Sequence, residues 1–105
     1  MKRIWQPEEL IEHWTLLPSE ETLVKRKTAS HRLGLALLLK FYQYEGQFPA
    51  NKGDIPTQAI RYVAEQLKLD PNRFDKYDFN GRTVKAHRVA IRDFLGFRVL
   101  LDLLC

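Results

Sequence analysis

Apolar residues along this chain recur three and four positions apart, and nowhere do they alternate with polar residues for the length of a strand. The pattern predicts an all-α fold, a compact bundle of about five or six helices around a central apolar helix. Pro7, followed by Glu8 and Glu9, opens a short first helix running to about Trp14, because proline fits the first helical position and carboxylates suit the positive end of the helix dipole. Ser19 is expected to cap a second helix, with Glu20 and Glu21 at its start and Lys25, Arg26 and Lys27 at its end. The central helix is expected over about residues 30–45, capped by Ser30 and stopped by Gly46. Leu33, Leu35, Leu37, Leu38, Leu39, Phe41 and Tyr42 surround most of it and leave a polar strip at Arg32, Lys40 and Gln43, so it must be packed on several sides.

Residues 47–54, with Pro49 and Gly53, read as a loop. A fourth helix over about 56–67 sets Ile60, Val63, Ala64 and Leu67 at core spacing, and Asp70 with Pro71 opens a short fifth. Asn80 and Gly81 break the chain before a sixth helix over about 83–95, for which Gly96 is the expected stop. At 100° per residue, Val84, Ile91 and Leu95 fall within about 40° of one another and form a core-facing stripe. His87 and Phe94 border it, and the histidine is expected to be hydrogen-bonded and partly buried. Trp5 and Trp14 read as core anchors.

Composition narrows the class. A chain of 105 residues, 45% apolar and 29% charged, is one folded domain rather than a disordered or repetitive segment. Cys105 is the single cysteine, so neither an internal disulfide nor a multi-cysteine zinc site is possible, and the chain reads as cytoplasmic. The run Leu35-Ala36-Leu37-Leu38-Leu39 ends at Lys40, far short of the roughly 20 residues of a membrane span, so no membrane partner is expected. Gly-rich phosphate loops, cysteine–histidine pairs and metal-ligand clusters are all missing, and Asp75 with Asp78 reads as a surface pair. An enzyme is not expected, and no cofactor or metal is implied.

Charge is mildly positive overall, at +4, but unevenly placed. Residues 25–40 carry Lys25, Arg26, Lys27, Arg32 and Lys40 with no acid among them; residues 82–98 carry five bases against Asp93. Local rather than total charge governs counterion release from a polyanion, so these are candidate nucleic-acid surfaces. Lys85, Arg88 and Arg92 lie within about 60° on one edge of the sixth helix, able to follow a phosphate backbone or enter a major groove. Arg82 and Thr83 stand at its N-terminus, where free N–H groups favour a phosphate, and Arg88 and Arg92 have the forked geometry that reads guanine. Lys25, Arg26, Lys27, His31 and Arg32 form a second candidate backbone-contacting patch. An ordinary solvated helix face is the alternative for both segments.

In chain order, Trp14-Thr15-Leu16, Arg32-Leu33-Gly34, Ala36-Leu37, Leu39-Lys40-Phe41 and Gly46-Gln47-Phe48-Pro49 form a pattern. It continues through Ile55-Pro56, Tyr62-Val63-Ala64, Gln66-Leu67, Tyr77-Asp78 and Gly81-Arg82-Thr83 to His87-Arg88, Ile91-Arg92 and Gly96-Phe97. With these motifs the chain resembles the N-terminal domain of Tn-three-type replicative transposases over about residues 5–98. The resemblance implies a module that binds double-stranded DNA at the terminal inverted repeats of a transposon, beside the remaining domains of a full-length transposase in a bacterial cytoplasm. It also implies that the magnesium-dependent DDE acids of the family lie in a distant domain. The helical DNA-binding domain is expected over residues 1–98. Residues 99–105, VLLDLLC, form an atypical apolar tail that marks an excised domain, a truncated gene or a decayed copy and offers a surface for self-association. The alternative function is a protein-interaction or regulatory module of a truncated transposase without independent DNA binding.

Overall fold

The computed structural model describes residues 4–104, with Ser30 and residues 97–104 described by their backbone alone. In chain order it contains α1 (Pro7–Trp14), α2 (Pro18–Lys25), α3 (Ala29–Glu45), a 3-10 turn (Lys52–Asp54), α4 (Thr57–Leu67), a second 3-10 helix (Pro71–Lys76) and α5 (Arg82–Leu104), with no strand among the described residues. The all-α bundle predicted from spacing is the observed one. Its fifth helix, however, is 3-10: Asp70 accepts from the Asn72 N–H at 2.9 Å and Pro71 starts the turn, but six residues do not develop an α-helix. The predicted loop likewise holds the Lys52–Asp54 turn, fixed by the Asp54 carboxylate accepting from the N–H groups of Ala50 and Asn51.

Helix starts differ from expectation where two capping signals compete. The second helix begins two residues earlier than a Ser19 cap would give, because Pro18 presets the first helical φ and Glu20 reaches back to accept the Leu17 N–H at 2.8 Å. Thr28, not Ser30, stands at the start of α3: its carbonyl accepts from His31 and Arg32 N–H at 3.0 and 2.9 Å. Gly46 ends α3 in the left-handed conformation, φ 77°, as expected. Gly96 does not end α5. A glycine inside a helix costs about 1 kcal/mol, and the leucine-rich segment beyond it favours the helix enough for the backbone to continue to Leu104. The side chains proposed for self-association lie outside the described residues.

α3 is the centre, packed against α1, α2, α4, the second 3-10 helix and α5, and Leu33 through Leu39 are buried along its whole girth. Among the helices, the backbone of α5 approaches that of α3. α4 is joined to the N-terminal segment by amide side chains on one face. Gln58 pairs with both the N–H and the carbonyl of Trp5 (2.6 and 3.1 Å), Tyr62 with Thr15 (2.7 Å), and Gln66 with Leu16 N–H and Trp14 carbonyl (2.8 Å each). The two glutamines satisfy backbone groups of Trp5, Trp14 and Leu16, before, at the end of and after α1, where no helical partner serves them. Trp5 and Trp14 are buried, edge to face at 5.9 Å.

The polar strip expected on α3 is not exposed at Lys40. Its ammonium meets the fully buried Glu20 carboxylate at 2.7 Å and donates to Gln43 Oε1 at 3.0 Å, while Gln43 Nε2 donates to the other Glu20 oxygen at 2.6 Å. Glu20 is therefore an internal bridge from α2 to α3 as well as an N-terminal acid.

Gly34 is the contact on which the second half of the chain docks. The Tyr77 ring lies against its Cα, in the space a β-carbon would fill. The ring cannot simply retreat, because it stacks on His87 at 5.6 Å and its hydroxyl is 2.6 Å from His87 Nδ1. Gly34→Ala gains about 1 kcal/mol of helix propensity but overpacks this contact, which costs about 1–3 kcal/mol and more where nothing can yield. We expect a net loss of stability in urea unfolding; a variant more stable than the parent would mean the ring is not held as described.

Candidate nucleic-acid interface

α5 meets the body of the protein along one stripe. Val84, His87 and Ile91 are buried, and Phe94 and Leu95 pack partly against the same core, as the 100° layout predicts. His87 is more deeply buried than expected, at 3% exposure. Burial first, and then the charges of His31 and Lys27 nearby, push its pKa down to about 4. Burial also pushes the Tyr77 phenol well above its ordinary range, against the opposing charge of Arg88. Both groups are thus neutral at pH 7, and a hydrogen bond of 2.6 Å joins the tyrosine hydroxyl to His87 Nδ1.

Away from this stripe, Arg82, Lys85, Ala86, Val89, Arg92 and Asp93 are exposed. Lys85 and Arg92 project from α5 as predicted, and no carboxylate partner is present for Lys85, Arg88 or Arg92 among the described residues. Val89 stands in the middle of this face, 55% exposed and unnoticed in the charge pattern. Arg88 is different. It is half-buried, its Nε is shielded from solvent without a hydrogen-bond partner, and its guanidinium carbon lies 5.7 Å from the Phe48 ring centre and 5.9 Å from that of Phe79. The Arg92 guanidinium carbon is 5.2 Å from the same Phe48 ring. Contacts of this geometry draw cations onto an aromatic face. Phe48 and Phe79 were not candidates from sequence; their signal was their place in loops, and residues 46–49 were marked only as part of a family pattern.

At the N-terminus of α5, Arg82 is exposed and Thr83 half-buried, but the Asp78 carboxylate lies directly beside Gly81 while accepting the Asn80 N–H at 3.0 Å. A carboxylate already sits at the end expected to favour phosphate.

The second basic cluster divides. Arg32 is half-buried and donates to the carbonyls of Lys27 (2.8 Å) and Lys25 (3.3 Å), closing the C-terminus of α2. Lys25 is exposed but lies 3.7 Å from Glu21 one turn back, and Arg26 is exposed beyond it. Lys27 and His31 are brought toward α5, His31 with its ring 5.5 Å from that of His87. The two sequence segments thus meet through Lys27 and His31, while Lys25, Arg26 and Arg32 stay with α2. Asp75 and Asp78 are exposed, and Asp78 lies beyond the 3-10 helix that carries Asp75. Among the described residues, no three His, Cys, Asp or Glu side chains gather as a metal site, and no helix is long and apolar enough to cross a membrane.

Comparison with known proteins adds a family. The model of a domain of unknown function, DUF4158, matches residues 1–102. The chain is 29% identical over 89 residues to the transposase for transposon Tn501 of Pseudomonas aeruginosa, covering 84% of the chain and 9% of that protein. It is 28% identical over 92 residues to the transposase for transposon Tn3926 of Escherichia coli (87% and 9%), and 31% identical over 80 residues to that for transposon Tn1546 of Enterococcus faecium (73% and 8%). The chain therefore spans less than a tenth of the length of these relatives. No solved structure matches it.

Proposed function

Because this chain belongs to the DUF4158 family and is a transposase-related domain, we propose that it binds double-stranded DNA through the exposed edge of α5, as the end-recognition module that meets the terminal inverted repeats of a transposon. The observation that carries this reading is the row of Lys85, Arg88 and Arg92, with Arg82 at its head, on a helix whose Val84–Ile91 side is buried against the body. Cations without a carboxylate partner along one helix edge suit a polyanion, since each one that neutralises a phosphate releases a counterion. Lys27 and His31, beside the buried His87, extend the surface toward α2. The transposase similarity supports DNA among polyanions, and on this reading the domain works with DNA in a bacterial cytoplasm, beside the remaining domains of a full-length transposase. Arg82 contributes a backbone contact.

Binding of the chain to short duplexes should weaken with salt. If Arg82, Lys85, Arg88 and Arg92 each neutralise one phosphate, log affinity falls against log salt with a slope of about −3.6, on the order of a hundredfold between 50 and 200 mM. Arg82→Ala should lower affinity for all duplexes by a similar factor and reduce that slope by about one. Fluorescence anisotropy with labelled duplexes measures both. Absence of binding at 50 mM salt would favour a protein-interaction or regulatory module that does not bind DNA on its own.

A further inference from the structure

Two arginines one helical turn apart on α5, Arg88 and Arg92, share the ring of Phe48, and Phe48 belongs to neither α5 nor any helix. The loop that carries it is fixed at both sides: Gly46 turns the chain out of α3 in the left-handed conformation and Pro49 is buried. The ring itself packs on Tyr42 of α3, centre to centre 4.6 Å. Like charges so close repel each other, and arginine side chains left free in solvent lose much rotamer freedom when a ligand fixes them. An aromatic face offsets the first effect and removes part of the second before any ligand arrives. Arg88 shows the result. With Nε enclosed and unpartnered and Phe79 also against the guanidinium, its solvent-facing donors are the terminal nitrogens, which suits the oxygens of a phosphodiester.

We propose that Phe48 is a positioning residue for DNA binding, holding Arg88 and Arg92 together as a paired grip on the phosphodiester backbone and making the loop after α3 part of the interface. The inference rests on the reading of α5 as the DNA-binding edge. It assigns the paired guanidiniums to phosphate rather than to guanine, and it locates their arrangement in a residue that touches no DNA.

The test compares Phe48→Leu, which keeps apolar bulk and loses the aromatic face, with Phe48→Tyr, which keeps the ring, in duplex titrations from 50 to 200 mM salt. Phe48→Leu is expected to weaken binding on the order of tenfold and to make the salt slope shallower by one to two, although no charge has been removed. Phe48→Tyr should retain both values. In an Arg88→Ala/Arg92→Ala background, Phe48→Leu should produce no further loss, an outcome that a merely structural role would not give. Circular dichroism checks folding, and if the leucine variant unfolds, Phe48→Met replaces it with the same expectation. Unchanged affinity and slope in Phe48→Leu overturn the inference alone, as does an equal loss in the double-alanine background. No binding by the unaltered chain overturns this inference together with the DNA-binding reading.

Discussion

Lys40→Met should destabilise the chain by about 3–5 kcal/mol, against a total stability of about 5–15 kcal/mol for a domain of this kind. The substitution preserves the apolar stem of the side chain and removes only the ammonium. Glu20 is then left with no solvent exposure and without the cation at 2.7 Å, although Leu17 N–H and Gln43 still donate to it. Burial alone raises the pKa of this carboxyl; the hydrogen bonds from Leu17, Lys40 and Gln43 and the charge of Lys40 outweigh that and hold it below its ordinary 4.5. Without Lys40 the balance tips toward a protonated, weakly partnered acid. The pair itself need not be strongly stabilising, because two charges withdrawn from water lose hydration that their attraction only roughly restores. The double variant Glu20→Gln/Lys40→Met separates these effects. The glutamine still accepts the Leu17 N–H, and the Gln43 amide, turned over, accepts from it, so much of the stability should return. Urea unfolding of the two variants decides it, and a loss below about 1 kcal/mol in Lys40→Met would show that the carboxylate has another route to water.

Stability should also fall as the pH drops from 6.5 toward 4, by as much as ~3 kcal/mol, because of His87. Its folded-state pKa is pushed down to about 4 from the ordinary 6.5. Below 6.5 the unfolded chain takes up a proton that the folded chain refuses, so the unfolded state gains; below about 4 both are protonated and the loss levels off. The sign for Glu20 is set by a lowered carboxyl pKa: its contribution is present above 4.5 and is lost as pH falls through the lower folded value, so it adds to the decline only at the acid end. His87→Gln, which can still meet the Tyr77 hydroxyl but does not titrate, should flatten the curve between pH 6.5 and 5. Urea midpoints at pH 7.5, 6 and 5 provide the measurement, and a parent protein equally stable at all three would contradict the burial of a neutral imidazole.

Much of this fold was legible because burial and helical period are both written in apolar spacing. The leucines of α3 and the Val84–Ile91–Leu95 stripe of α5 follow from that spacing, and the Gly46 stop from glycine's ease in the left-handed conformation. Polar residues were harder, since one residue type serves several ends. Glu20 satisfied a helix-dipole expectation while also reaching Lys40 of another helix; Arg32 looked like part of a basic surface but closes α2. Cap positions shifted by two residues where Pro18 competed with Ser19 and Thr28 with Ser30. Phe48 escaped because a loop has no period, and its relation to Arg88 and Arg92, 40 or more positions later, arises only when α3 brings both segments to one place.

The placement of the two tryptophans also provides an optical separation within one small chain. Trp5 and Trp14 sit with α1 against α3 and α4, and among the described residues the backbones of α1 and α5 do not approach each other. The Trp14 indole is fully buried and its N–H meets no protein acceptor, an apolar setting in which indole emission is shifted to the blue. Intrinsic fluorescence therefore reports the integrity of the N-terminal half and should stay constant when a ligand covers α5, whereas unfolding moves it to the red.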